Sequence, residues 1–141
     1  EYIHDAINLN QFFKKNLKNR ELLRNIIKKL VRGIKIINQK GLIHRDINPN
    51  NILFKKNNSE IYDIYLIDFS FMIEINNKRF KELNIPESSK FLKYLGGRSK
   101  PSNFKWDDIY SLYCIAYKFL GTESDEIVNW KNLINKYTYS Y

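Results

Sequence analysis

Apolar residues recur at three- and four-residue intervals between Arg20 and Gln39: Leu22, Leu23, Ile26, Ile27, Leu30, Val31, Ile34 and Ile37. This spacing puts them on one side of a 3.6-residue helix and predicts an amphipathic helix over 20–39. Lys35 and Lys40 suit its C-terminal dipole, and Gly41 supplies a left-handed stop. A shorter helix is predicted ahead of it, over about 10–17. After Gly41 the period changes. Leu42-Ile43 leads into a polar stretch, His44 to Asn51, and then into the short apolar run Ile52-Leu53-Phe54. Lys55 to Glu60 reads as a turn and Ile61 to Ile67 as a strand, so a hairpin follows the polar stretch. Phe71 to Ile75 is a further strand, closed by Asn76-Asn77.

Periodicity is weak from Asn76 to Lys105, where Pro86, Gly96-Gly97, Pro101 and scattered Ser predict a long irregular segment; such segments in compact domains are functional or disordered. A second strong helix is predicted over 107–120, with Ile109, Leu112, Ala116, Phe119 and Leu120 on its apolar side and Gly121 as its stop. A last helix is predicted from Thr122, with Ile127, Trp130, Leu133, Ile134 and Tyr137 on its stripe. Cys114, inside the second strong helix, reads as a core residue. Trp106 and Trp130 read as packing residues, and His4 as a surface one.

Composition narrows the class. A chain of 141 residues, 43% hydrophobic and 28% charged, with five Gly and three Pro, is neither disordered nor collagen-like. It is long enough for one domain, or one lobe of a larger one, and too short for two separate cores. The longest apolar run, Ile109 to Leu120, is broken by Lys118 and falls short of the roughly 18–20 residues of a membrane helix. The chain opens at Glu1 with no signal-like stretch. With Cys114 as its one cysteine it cannot close an internal disulfide, so a reducing, cytoplasmic setting is expected. The net charge of +9 comes mostly from Lys, in a chain equally rich in Ile and Asn. These three residues share A/T-rich codons, and the lysines are dispersed. Solvated faces are therefore the leading reading, and a nucleic-acid partner is not indicated.

Chemistry concentrates in His44-Arg45-Asp46-Ile47-Asn48-Pro49-Asn50-Asn51 and in Asp68-Phe69-Ser70. An acid five residues ahead of an Asn on a tight loop can aim both side chains at one pocket. A carboxylate at the end of the next strand can converge on it. Two oxygen ligands and a free carboxylate suit Mg²⁺ with phosphates, since Mg²⁺ takes few protein ligands and keeps waters. The free acid could then position an attacking hydroxyl.

In these motifs the chain resembles the protein-kinase family, whose catalytic loop and Asp-Phe-Gly triplet they match in order. The resemblance implies a mainly α fold with a small β-hairpin region: the C-terminal (large) lobe of a kinase-like domain, incomplete at its C-terminal end. Its parts would be a hinge over 1–7, a catalytic loop over 44–51, an activation segment over about 68–105 and a central helix over about 107–120. By resemblance Asp46 is the catalytic base, with Asn48 beside it. Asn51 and Asp68 would hold Mg²⁺. His44, Arg45 and Asp108 would support the loop, Asp108 by bonding its backbone from below. Arg45 could also pair with a phosphate at Ser88, Ser89 or Ser99. Glu1, Ile3, Asn8 and Leu53 would contact ATP. The implied activity is ATP- and Mg²⁺-dependent phosphoryl transfer, foremost to Ser or Thr of a protein substrate.

Four departures qualify the match. Asn48 stands where Ser/Thr kinases commonly carry a charge-neutralising Lys, a charge that Arg98 or Lys100 could supply. Ser70 replaces the Gly of the triplet, which restricts its backbone. No Ala-Pro-Glu closes the activation segment. No Gly-x-Gly-x-x-Gly occurs, so the N-terminal lobe is expected elsewhere and this portion alone is expected to be inactive. Two other functions fit the same residues. One is a small-molecule or sugar kinase, favoured by Asn48 and opposed by Arg45. The other is a non-catalytic lobe or pseudokinase that binds a partner, opposed by Asp46, Asn51 and Asp68.

Overall fold

In the computed structural model, residues 3–59, 61–121 and 129 are described. Glu1, Trp130 and, apart from Asn129, the predicted last helix fall outside them. Chain order is β1 (Ile7–Asn8), α1 (Leu9–Asn16), α2 (Arg20–Gln39), β2 (Leu42–Ile43), β3 (Ile52–Lys56), β4 (Tyr62–Leu66), β5 (Ile73–Glu74), α3 (Phe80–Leu83), β6 (Ser99–Lys100), β7 (Lys105–Trp106) and α4 (Asp108–Leu120).

The helix predicted over 20–39 forms with those bounds. Asn19 caps it, its side chain accepting from Leu22 N at 3.0 Å, and Gly41 leaves it at φ +77°, a conformation that costs glycine nothing. Its stripe buries Leu23, Ile26, Ile27, Leu30 and Ile34 against Ile109, Leu112, Ala116 and Leu120 of α4. Each fully buried side chain of this kind contributes about 1.5–3 kcal/mol. In α1 the capping box of Asn8 and Gln11 fixes the first turn, and Phe12 and Phe13 point into the core. Phe12 stacks on Phe54 at 4.2 Å and meets Tyr62 edge-on; Phe13 meets Phe119 at 4.3 Å. α1 therefore joins the hairpin to α4.

β1, β3 and β4 make an antiparallel sheet, with Ile7 opposite Phe54 and Phe54 opposite Ile64 on the core face. Directly opposed residues share a face, so Asn8, Leu53 and Tyr65 line up on the other one. β2 pairs with β5, with Ile43 opposite Ile73. The strand expected over 71–75 is thus shorter, and the sheet content exceeds a single hairpin. Residues 76–105 are less irregular than predicted. They carry α3, the β6–β7 pair and single turns of 3₁₀ helix at Pro86–Ser88 and Leu92–Tyr94. Elements of two to four residues have no period to read. Trp106 is buried, and Cys114 is half-buried on α4 rather than in the core.

Candidate active site

One buried carboxylate holds the polar stretch after β2. Asp108, 3% exposed, opens α4 and accepts from His44 N (2.8 Å, Oδ2), Arg45 N (3.0 Å, Oδ1) and Asn38 Nδ2 (3.2 Å, Oδ2). Burial pushes its carboxyl above the ordinary range, against the pull of these donors. Asn38 Nδ2 also donates to Leu42 O at 2.9 Å, tying the end of α2 to β2.

His44 is fully buried, and its two nitrogens have different partners. Asp46 N–H donates to Nδ1 at 3.2 Å, which makes Nδ1 the acceptor and leaves Nε2–H to donate to Ile67 O at 3.0 Å. Its ring lies 4.8 Å from that of Phe69. Arg45 is in the left-handed region at φ +69°. Its guanidinium donates from Nε to Phe71 O and from Nη1 to Leu83 O at 2.8 Å. Burial lowers its pKa, with the charge of Asp108 acting the other way. Two of its five N–H donors thus hold the main chain after the Asp68 triplet.

Asp46 is nearly buried and accepts three side-chain-directed bonds. Oδ1 takes Asn48 Nδ2 at 3.0 Å and the Gly96 amide; Oδ2 takes Asn51 Nδ2 at 2.7 Å. A carboxylate has about four acceptor positions, so one remains, on Oδ2. Asn51 Nδ2 also donates to Asp46 O at 2.9 Å, and Asn48 Oδ1 accepts from Asn50 N at 2.9 Å. Asn48 is therefore a positioning residue for Asp46. The two glycines are required by close approach: a Cβ on Gly97 would lie 2.2 Å from Arg45 O, and one on Gly96 2.6 Å from Asn48 Nδ2.

Asp68 is exposed at the end of β4, at φ +59°, and its Oδ1 accepts from Ser70 N at 3.4 Å. The preceding residue fixes its place, because Ile67 N donates to Asn51 O at 3.0 Å while Ile67 O receives His44. Among the described residues no group of three His, Cys, Asp or Glu converges on a point. The candidate donors are one amide oxygen, Asn51 Oδ1, left unused by the bonds to Asp46, and one carboxylate, Asp68, whose neighbour Ile67 bonds Asn51 O. This set fits Mg²⁺, whose remaining positions are filled by water and phosphate oxygens, and does not fit an all-protein cage.

The other predicted positions are more dispersed. Leu53 lies between Asn8 and Tyr65 on the face away from the core. Asn8 uses its side chain on Gln11 N (3.0 Å) and Asn50 Oδ1 (3.2 Å). Ile3 is half-buried ahead of β1. Lys100 is buried, with its charge acting on Asp107, and exposed Arg98 lines a cavity together with Gly96, Ile47 and Pro49. Sequence reasoning missed Asn38, Ser111 and the packing of Gly96-Gly97. Asn38 had a signal: it continues the stripe Leu23, Ile27, Leu30, Ile34 with a polar side chain. Ser111 likewise sits on the buried side of α4, bonding Arg98 N at 2.7 Å and Asp107 O at 2.8 Å.

Residues 1–125 match the protein kinase domain. A probable serine/threonine-protein kinase irlC of Dictyostelium discoideum is 29% identical over 100 residues, 71% of this chain and 7% of that protein. Serine/threonine-protein kinase ppk34 of Schizosaccharomyces pombe is 47% identical over 49 residues, 35% of this chain and 13% of that protein. Serine/threonine-protein kinase PknB of Mycolicibacterium smegmatis is 27% identical over 101 residues, 70% of this chain and 15% of that protein. The chain thus spans a small part of each of these relatives. No solved structure matches it.

Proposed function

The chain belongs to the protein kinase domain family, and on that premise we propose that it is the large-lobe portion of an ATP- and Mg²⁺-dependent protein serine/threonine kinase. The observation that carries this reading is the Asp46 carboxylate, fixed by Asn48, Asn51 and Gly96 with one acceptor position left on Oδ2. An acceptor hydroxyl donating to that position is aligned for attack. Its oxygen bonds the γ-phosphorus of ATP as the β–γ bridging P–O bond breaks. The hydroxyl proton passes to Asp46, and ADP leaves. Positioning and electrostatics do the work here.

Asn51 Oδ1 and Asp68 are the proposed Mg²⁺ ligands, and the metal when bound would offset phosphate charge. Leu53, with Asn8 and Tyr65 beside it and Ile3 ahead, is the proposed floor for the nucleotide. The sequence holds no glycine-rich phosphate loop, and the small lobe is the partner proposed to supply it. Arg45 and Asp108 are positioning residues: one ties down the segment after Asp68, the other fixes the loop beneath Asp46.

The test uses the complete protein that contains this chain. Asp46→Asn should lower phosphoryl transfer to a serine peptide by at least about 10³-fold, the upper part of the range for one acid–base group. ATP binding should persist. Transfer within tenfold of the parent protein would refute the assignment of Asp46.

A further inference from the structure

Beside Asp46 lies a second feature that phosphoryl transfer itself does not use. A cavity of about 130 Å³ opens between the 44–51 loop and α4, lined by Ile47, Pro49, Gly96, Arg98, Cys114 and Lys118 among others. Gly96 is shared: it lines this cavity and its amide bonds Asp46 Oδ1. Ile47 and Pro49 follow Asp46 in the loop, so the cavity adjoins the place where an acceptor hydroxyl would sit.

Its charge has one sign. Arg98 and Lys118 are the ionised side chains of the lining, which has no Asp or Glu. Both are exposed, and neither pairs with a carboxylate among the described residues. Cys114 and Lys118 are four residues apart on α4 and so share a face. Arg98 lines the same cavity as Cys114, which places it on the same side. Two cations without a carboxylate partner among the described residues, over a small cleft with apolar walls, raise the local concentration of anions. The volume, about four waters' worth, suits a carboxylate or phosphate group on a short side chain.

We propose that this cavity receives an anionic side chain of the acceptor peptide, held by Arg98 and Lys118. The inference rests on the reading of Asp46 given above. Since Gly96 bridges the two places, the anion belongs within about three or four residues of the accepting hydroxyl, at roughly 3.3–3.6 Å per extended residue. The common chemistry is a fixed negative charge, from aspartate or glutamate or from a previously phosphorylated residue.

The test measures transfer and binding with the complete protein. The probes are serine peptides in which one residue, moved stepwise to either side of the serine, is asparagine, aspartate or phosphoserine. At low salt the anionic peptides should exceed the asparagine one at least fivefold in kcat/KM at one or two positions. The phosphoserine and aspartate arms identify which anion is preferred. In Lys118→Glu and Arg98→Glu the anionic-to-neutral ratio should collapse toward one, with folding confirmed by circular dichroism. Equal transfer to anionic and neutral peptides overturns this inference and leaves the kinase reading intact. If no peptide is phosphorylated, the kinase reading fails and fluorescence anisotropy decides the cavity. Lys118-dependent binding of the anionic peptide supports it, and equal binding of the neutral peptide overturns it.

Discussion

Asp107 and Asp108 are adjacent, chemically identical and mostly buried, yet the same substitution should have unlike consequences. In Asp108→Asn the amide offers one acceptor oxygen where the carboxylate offered two. His44 N bonds Oδ2 and Arg45 N bonds Oδ1, so either orientation of the amide turns an NH₂ toward a backbone N–H. One buried amide donor is left unsatisfied, at about 1–3 kcal/mol, and the surviving bonds lose their charge. The sum is about 3 kcal/mol. Asp107 caps α4 through a single bond, Tyr110 N to Oδ1 at 2.8 Å. Asparagine caps as well as aspartate, so Asp107→Asn should cost about 0.5 kcal/mol or less. Urea unfolding followed by circular dichroism separates the two. With a slope of about 1–3 kcal/mol/M, Asp108→Asn should lower the midpoint by about 1–3 M, and Asp107→Asn by a few tenths. An Asp108→Asn cost below about 1 kcal/mol, or equal costs for both variants, would refute the claim that Asp108 holds the loop.

Three further expectations are independent of that one. Gly97→Ala puts a Cβ at 2.2 Å from Arg45 O and should cost about 1–3 kcal/mol by overpacking. It should also speed hydrogen exchange of the Gly96 amide by tenfold or more, and unchanged exchange would show that the loop absorbs the clash elsewhere. Asn38→Leu completes the apolar stripe of α2 but strips the donor from Leu42 O and from Asp108. A loss of about 1–3 kcal/mol in urea unfolding is expected, and a gain would contradict it. Burial raises the Cys114 thiol above its usual value of 9.0, against smaller opposing effects of Tyr110 and Arg98. Its alkylation by iodoacetamide should therefore reach half-maximal rate above pH 9.0, and a midpoint below that would reverse the sign.

The parts of the fold read from sequence are those with enough residues to set a period. α2 shows eight apolar positions at helical spacing and Gly41 marks its end, while the cap at its start, Asn19, emerges from the structure. The hairpin is legible because β3 and β4 are five residues each and flank a turn rich in Lys and Asn. β2, β6 and β7 are two residues each, so their existence depends on tertiary contacts; β5, expected over 71–75, forms only at Ile73–Glu74, where it pairs with β2 once Gly41 has turned the chain. The site divides the same way. Asp46, Asn51 and Asp68 are visible because their spacing is itself the motif. The carboxylate that supports them, Asp108, is 62 residues from Asp46 and is legible through the family resemblance alone, whereas Gly96-Gly97 read only as loop punctuation. Their role, fitting against Arg45 O and Asn48, is a property of distance that no local pattern records.

Strain and burial together divide the site into a fixed floor and a looser rim. Four non-glycine residues among those described hold positive φ: Asp5, Arg45, Asp68 and Phe104. Each costs about 1–2 kcal/mol that a glycine would avoid. Two of the four, Arg45 and Asp68, belong to the candidate site. At Arg45 the cost is opposed by bonds from both ends of the residue: its amide to Asp108 and its guanidinium to Phe71 O and Leu83 O. A glycine would relieve the strain and release the segment. At Asp68 the restraint is weaker, a single 3.4 Å bond from Ser70 N, and Asp68, Phe69 and Ser70 are all exposed. Phe69 meets the His44 ring at 4.8 Å. Motion of this rim therefore costs little buried contact, whereas motion of Asp46 would break bonds to Asn48, Asn51 and Gly96 at once. Asp46 is thus the more firmly bonded of the two, and Asp68 is the position better able to adjust to the proposed nucleotide and metal.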